Sequence, residues 1–270
     1  MLFKTLASVF VFAIAFSVAT VAQASHSWGS YHWARTASPF TLKLGDNVTS
    51  AWDAYLAEAS RDWSASSVLD TIVVPGLTNP KNCKAVTGRV EVCNSKYGNN
   101  GWLGIAQIWI TDGEHITKGV AKMNDTYFNT ASYNTPAWRR LVMCQEIAHD
   151  FGLDHQDETF NNANVGSCMD YTNDPDGGAG GASVSDLSNE HPNAHDFMQL
   201  ESIYGHLDSS TTIGQSLVGK EFGALVAATQ GAFVEHEEFG IPVGFEPSGR
   251  ANTFKRDLSD GTSQITHVFW

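Results

Sequence analysis

Apolar positions along the chain follow two rhythms. Residues 39–45 alternate, with Phe40, Leu42 and Leu44 on one face, and the run ends at Gly45-Asp46; this predicts a half-buried strand. Over residues 47–64 the apolar set Val48, Trp52, Tyr55, Leu56 and Trp63 recurs at the spacing of one helix face. Residues 71–74 predict a short strand stopped by Pro75-Gly76. Residues 88–93 and 102–110 predict two more strands, separated by the turn-rich stretch 95–101, and residues 116–123 predict a fifth. Residues 136–151 predict a helix, with Thr135 as N-cap, Pro136 at the first position and Gly152 just past the end. Residues 174–181 are Gly-rich and read as loop, and residues 192–204 predict the last clear helix, closed by Gly205. Beyond residue 208 the pattern dissolves into Gly, Thr, Ser and isolated apolar positions, so 208–270 reads as a C-terminal extension outside the core of 25–207. Strands with one helix, then a helix, a long loop and a helix, predict an α+β fold with about five strands rather than a βαβ array.

The first 24 residues carry a different signal. Lys4 gives a positive start, residues 9–21 are almost unbroken apolar, and Ala22-Gln23-Ala24 is a small-residue cleavage site. The run is short for a ~20-residue membrane span, so a signal peptide is expected, with the mature chain starting at Ser25 and exported to the extracellular space. Sixteen Lys and Arg against 29 Asp and Glu give a net charge of −13, which would repel phosphate backbones and anionic lipid. Nucleic acid and membrane surfaces are therefore excluded as partners, and a monomer is expected. Export also sets how the cysteines read. Cys83, Cys93, Cys144 and Cys168 have no C-x-x-C spacing for a thiolate metal site, so disulfides are expected: Cys83 with Cys93 closes a short loop and Cys144 with Cys168 a longer one.

The informative segment runs Cys144-Gln145-Glu146-Ile147-Ala148-His149-Asp150-Phe151-Gly152-Leu153-Asp154-His155. Positions 145 and 149 lie one helical turn apart on one face. Gly152 permits a sharp turn, because glycine takes positive φ at little cost, and that turn can bring His155 back to the same point. Three ligands can then converge on a metal and leave a fourth position for water, with Glu146 beside the first as a general base.

This segment resembles the metzincin zinc signature H-E-x-x-H-x-x-G-x-x-H, matched at Glu146, His149, Gly152 and His155. Downstream, Ser167-Cys168-Met169-Asp170-Tyr171 resembles the metzincin Met-turn, whose Met lies under the metal. The resemblance implies a twisted mixed sheet, an active-site helix, a Met-turn and a C-terminal helix over residues 38–207. It implies a secreted zinc endopeptidase acting on a protein or peptide substrate, with zinc as cofactor, His149 and His155 as ligands and Glu146 as base. Tyr171 stands where astacin- and serralysin-type members carry a further ligand or transition-state stabiliser. Residues 101–110 resemble the edge strand that binds peptide substrate. A Cys144–Cys168 disulfide would tie the active-site helix to the Met-turn. The first His of the pattern is Gln145 here. Gln145 is then an unusual ligand through its amide oxygen, or the site holds metal through His149, His155 and water, or Tyr171 assists. A catalytically inactive metzincin-like domain that binds peptides or matrix is the alternative.

Overall fold

The computed structural model describes residues 25–178, 186–214 and 239–270. The leader read at residues 1–24 and the end of the Gly-rich loop lie outside them. The described chain is mixed α+β. In order it forms β1 (His32–Trp33), β2 (Phe40–Asn47), α1 (Asp53–Trp63), β3 (Leu69–Pro75), β4 (Val90–Ser95), β5 (Gly104–Thr111), β6 (His115–Asn124), α2 (Asp125–Phe128), α3 (Pro136–His149), α4 (Ala194–Ile203), β7 (Ile241–Phe245), β8 (Ala251–Asp257) and β9 (Ser263–Phe269). The five strands expected from periodicity are β2 to β6, and the three expected helices are α1, α3 and α4. Helix α1 starts later than the apolar spacing suggests, because a turn from Thr49 to Trp52 precedes it.

All nine strands share one sheet, in the order β3-β2-β4-β6-β5-β9-β8-β7, with β1 paired to the start of β6. Strands β3, β2, β4 and β6 run parallel to one another, while β5 turns back antiparallel on β6. Helices α1 and α3 pack together on one face. The main core fills this gap: Trp33, Trp52, Trp63, Leu42, Leu44, Leu141, Ile147 and Phe151 are all fully buried there. Such burial, at about 25 cal/mol per Å² of apolar surface, is the driving force that fixes α3 against the sheet.

Two expectations do not hold. The sheet has nine described strands rather than about five, and residues 239–270 are not outside the core. They add β7, β8 and β9, with β9 pairing antiparallel to β5 over Gly104–Ile110. The strand read as a free edge for substrate is therefore interior, covered by the chain's own C-terminus. The pattern concealed this because β9 is buried on both faces. Ile265 and Phe269 join the main core, while Val268 packs with Trp102, Ile105, Phe239 and Phe254 in a second cluster. A strand buried on both sides shows no clean alternation of apolar and polar residues.

Both expected disulfides, Cys83–Cys93 and Cys144–Cys168, are formed. The second joins α3 to the Met169 turn. No described helix is long and apolar enough to cross a membrane.

Candidate metal centre

Helix α3 is set up by its own ends. The Thr135 side chain accepts the Trp138 N–H at 3.3 Å, and Pro136 takes the first helical position, where no donor is lost. Past His149, Gly152 adopts φ +90°, and a side chain there would collide with the Tyr31 carbonyl. That turn brings His155 back over the helix end. Its ring centroid lies 4.7 Å from that of His149.

A third imidazole joins them from a distant part of the chain. His267 of β9 lies opposite Ala106 of β5 and projects over α3. Its ring centroid is 4.1 Å from His149 and 4.7 Å from His155. One ring nitrogen from each of His149, His155 and His267 lies within 4.8 Å of the others. Small residues on β5 make the room. A methyl group on Gly104 would overlap Glu146 and Val142 of the helix.

Hydrogen bonds orient the rings. His149 Nδ1 lies 2.8 Å from the Leu153 carbonyl, and His155 Nδ1 lies 3.0 Å from the Glu158 carboxylate. Both partners are acceptors, so each Nδ1 carries a hydrogen, and each Nε2 is left without a hydrogen-bond partner. His267 Nε2 meets the Tyr171 hydroxyl at 3.0 Å, leaving its Nδ1 on the inner side, 3.8 Å from Glu146 Oε2. Burial, and next the neighbouring imidazoles, hold His149 and His267 well below the usual histidine range, so both rings are neutral, the form that binds metal. Burial first, and then the neighbouring acidic group of Asp150, push Glu146 well above the usual range.

These residues fit a metal ion. His149 Nε2, His155 Nε2, His267 Nδ1, both Glu146 oxygens and both polar atoms of the Gln145 amide are buried without a hydrogen-bond partner. Each such atom costs about 1–3 kcal/mol of lost solvation. Their convergence suits a cation with nitrogen and oxygen ligands, and zinc is the ion that three imidazoles with an open fourth position most commonly serve.

Of the residues read from sequence, Glu146, His149 and His155 come together here. Gln145 sits one turn before His149, fully buried. Tyr171 is buried beside His155, with ring centroids 4.3 Å apart, and its hydroxyl reaches His267 rather than standing free in the site. Met169 is buried in the core beneath. His267 was missed, since no fixed spacing links a C-terminal strand to the helix motif. Its one sequence signal is a place between Ile265 and Phe269 on one face of a strand.

No protein-family model matches the chain, and no curated protein matches it in sequence. Among solved structures the chain is similar to high choriolytic enzyme 1, a hatching enzyme zinc-protease from the medaka fish Oryzias latipes. The TM-score is 0.36 and the identity 12%, over 66% of this chain and 96% of that one.

Proposed function

We propose that the chain is a secreted zinc-dependent peptide hydrolase of the metzincin type, with its ion held by His149, His155 and His267. The observation that carries this reading is the convergence of three buried imidazoles, with His267 beside the buried Glu146 carboxyl. Bound there, zinc supplies a Lewis acid for the scissile carbonyl and for water. The chain's own groups supply the rest. Burial alone holds Glu146 protonated, and a cation beside it would favour its carboxylate, which takes a proton from water and hands it to the leaving amine; a base in this role contributes about 10²- to 10⁴-fold. Tyr171 holds His267 through its hydroxyl and lies against the His155 ring. Gln145 adds an amide oxygen beside the ligands.

A second reading is favoured by one specific observation. Glu146, Gln145, His149 and His267 are essentially inaccessible, because β9 occupies the flank of β5 where a peptide would pair. In that reading the protein is a closed zinc-binding domain without turnover, and hydrolysis requires β9 to part from β5.

One experiment separates the two readings. Purified mature protein is assayed against a diverse peptide library, with and without chelator, beside Glu146→Gln. The hydrolase reading expects chelator-sensitive cleavage that falls at least ~100-fold in Glu146→Gln while zinc stays bound. Zinc-loaded wild type that cleaves nothing decides for the closed domain.

A further inference from the structure

Away from this centre, three parts of the chain bring imidazoles onto one carboxylate. β1 supplies His32, the start of β6 supplies His115, and the segment after α4 supplies His206 and Asp208. Strand pairing places the first two, since His32 and His115 are register partners. Asp208 is fixed by two bonds to Arg35: its N–H donates to the Arg35 carbonyl at 2.8 Å, and its Oδ2 accepts the Arg35 N–H at 2.9 Å. Its other oxygen, Oδ1, is left facing the rings. It lies 3.4 Å from His115 Nε2, 3.5 Å from His32 Nε2 and 3.6 Å from His206 Nε2. His206 Nε2 and His32 Nε2 are 3.3 Å apart.

These separations are long for hydrogen bonds, which favour about 2.7–3.2 Å. They match a coordination shell. Donors held at ~2.0–2.1 Å around a tetrahedral zinc are about 3.3–3.4 Å from one another. The orientation of His32 agrees. Its Nδ1 lies 2.8 Å from the Ser30 carbonyl, an acceptor, so in the neutral ring the hydrogen is there and Nε2 offers a lone pair to the cluster. The His32 and Asp208 side chains are only 5% and 11% exposed, whereas His206 is 55% exposed. A surface cavity of about 210 Å³, lined in part by Ser30, His32, Glu114 and His206, gives an ion a way in.

We propose that His32, His206 and Asp208 hold a second zinc ion, with His115 as the nearest fourth donor. The site shares no residue with the His149, His155 and His267 centre. It is structural, pinning the N-terminal segment and β6 to the chain that follows α4.

Zinc content tests it. Purified mature protein is stripped with chelator, reloaded with zinc chloride and freed of excess ion. Wild type is compared with His206→Ala, Asp208→Asn and His149→Ala/His155→Ala. His206→Ala and Asp208→Asn should each carry one equivalent fewer than wild type, and the double variant should keep the equivalent that they lose. Zinc should also raise the thermal midpoint of the double variant, and adding His206→Ala should remove that rise. Equal zinc content in wild type, His206→Ala and Asp208→Asn overturns the proposal, whatever the other centre holds. If wild type binds a single equivalent, its loss in His206→Ala alone supports this site and tells against the other. Its loss only in the double variant overturns this one.

Discussion

Asp150 follows His149 on α3 and is fully buried. Burial raises its pKa well above the ordinary 3.8, with the Val120 backbone pulling the other way. The folded state therefore keeps this carboxyl protonated at a pH where the unfolded chain has released the proton. A raised acid contributes stability below its unfolded pKa, and that contribution is lost as pH rises towards its folded pKa. Asp150→Asn has no proton to lose. The stability of the variant relative to wild type should therefore climb as pH rises above about 4 until the folded pKa is reached, by up to ~1.4 kcal/mol per pH unit. Urea unfolding at pH 5 and pH 7 measures it, and a difference that stays constant with pH would show Asp150 to be ionised in the fold. The residues flanking Asp150 along the chain are also those that sequence disclosed best. Glu146, His149, Gly152 and His155 sit on one helix and its C-terminal turn, where spacing along the chain fixes spacing in space. His267 depends on the register of β9 against β5, a long-range pairing that a single sequence does not encode in any local spacing.

Elements show the same division. Helix α3 announces itself through Thr135, Pro136 and Gly152, and β2 through strict alternation, because these signals are local. β5 was legible as a strand but not as an interior one, since a strand carries no mark of which neighbour covers it. β7 to β9 escaped because Pro242, Gly244 and the polar positions of β8 and β9 break any simple rhythm. Their place in the cooperative core can be measured. Phe254 of β8 is fully buried, 5.6 Å from the ring of Phe239. Phe254→Ala should cost about 3–5 kcal/mol and leave a single unfolding transition. A cost near zero, or a separate early transition, would mean that the C-terminal strands are held apart from the rest.

Across the whole molecule, the Cys144–Cys168 disulfide and β9 converge on the same helix. The disulfide ties α3 to the Met169 turn, and β9 lays His267 against His149 at the helix end. Metal binding and folding are coupled in such an arrangement, because the ligands meet only when the nine-stranded sheet is complete. The strong acidity bears on partners and solubility and left the chemistry open. The candidate site was read from twelve residues of helix and turn, and β9 adds a third imidazole to it. The central claim is that His267, rather than Gln145, completes the zinc centre. It is tested most directly by zinc affinity in a His206→Ala background, so that one centre alone is counted. His267→Ala should weaken zinc at least ~100-fold, while Gln145→Ala should change it less than ~10-fold. Full affinity in His267→Ala, with loss in Gln145→Ala, would contradict the account.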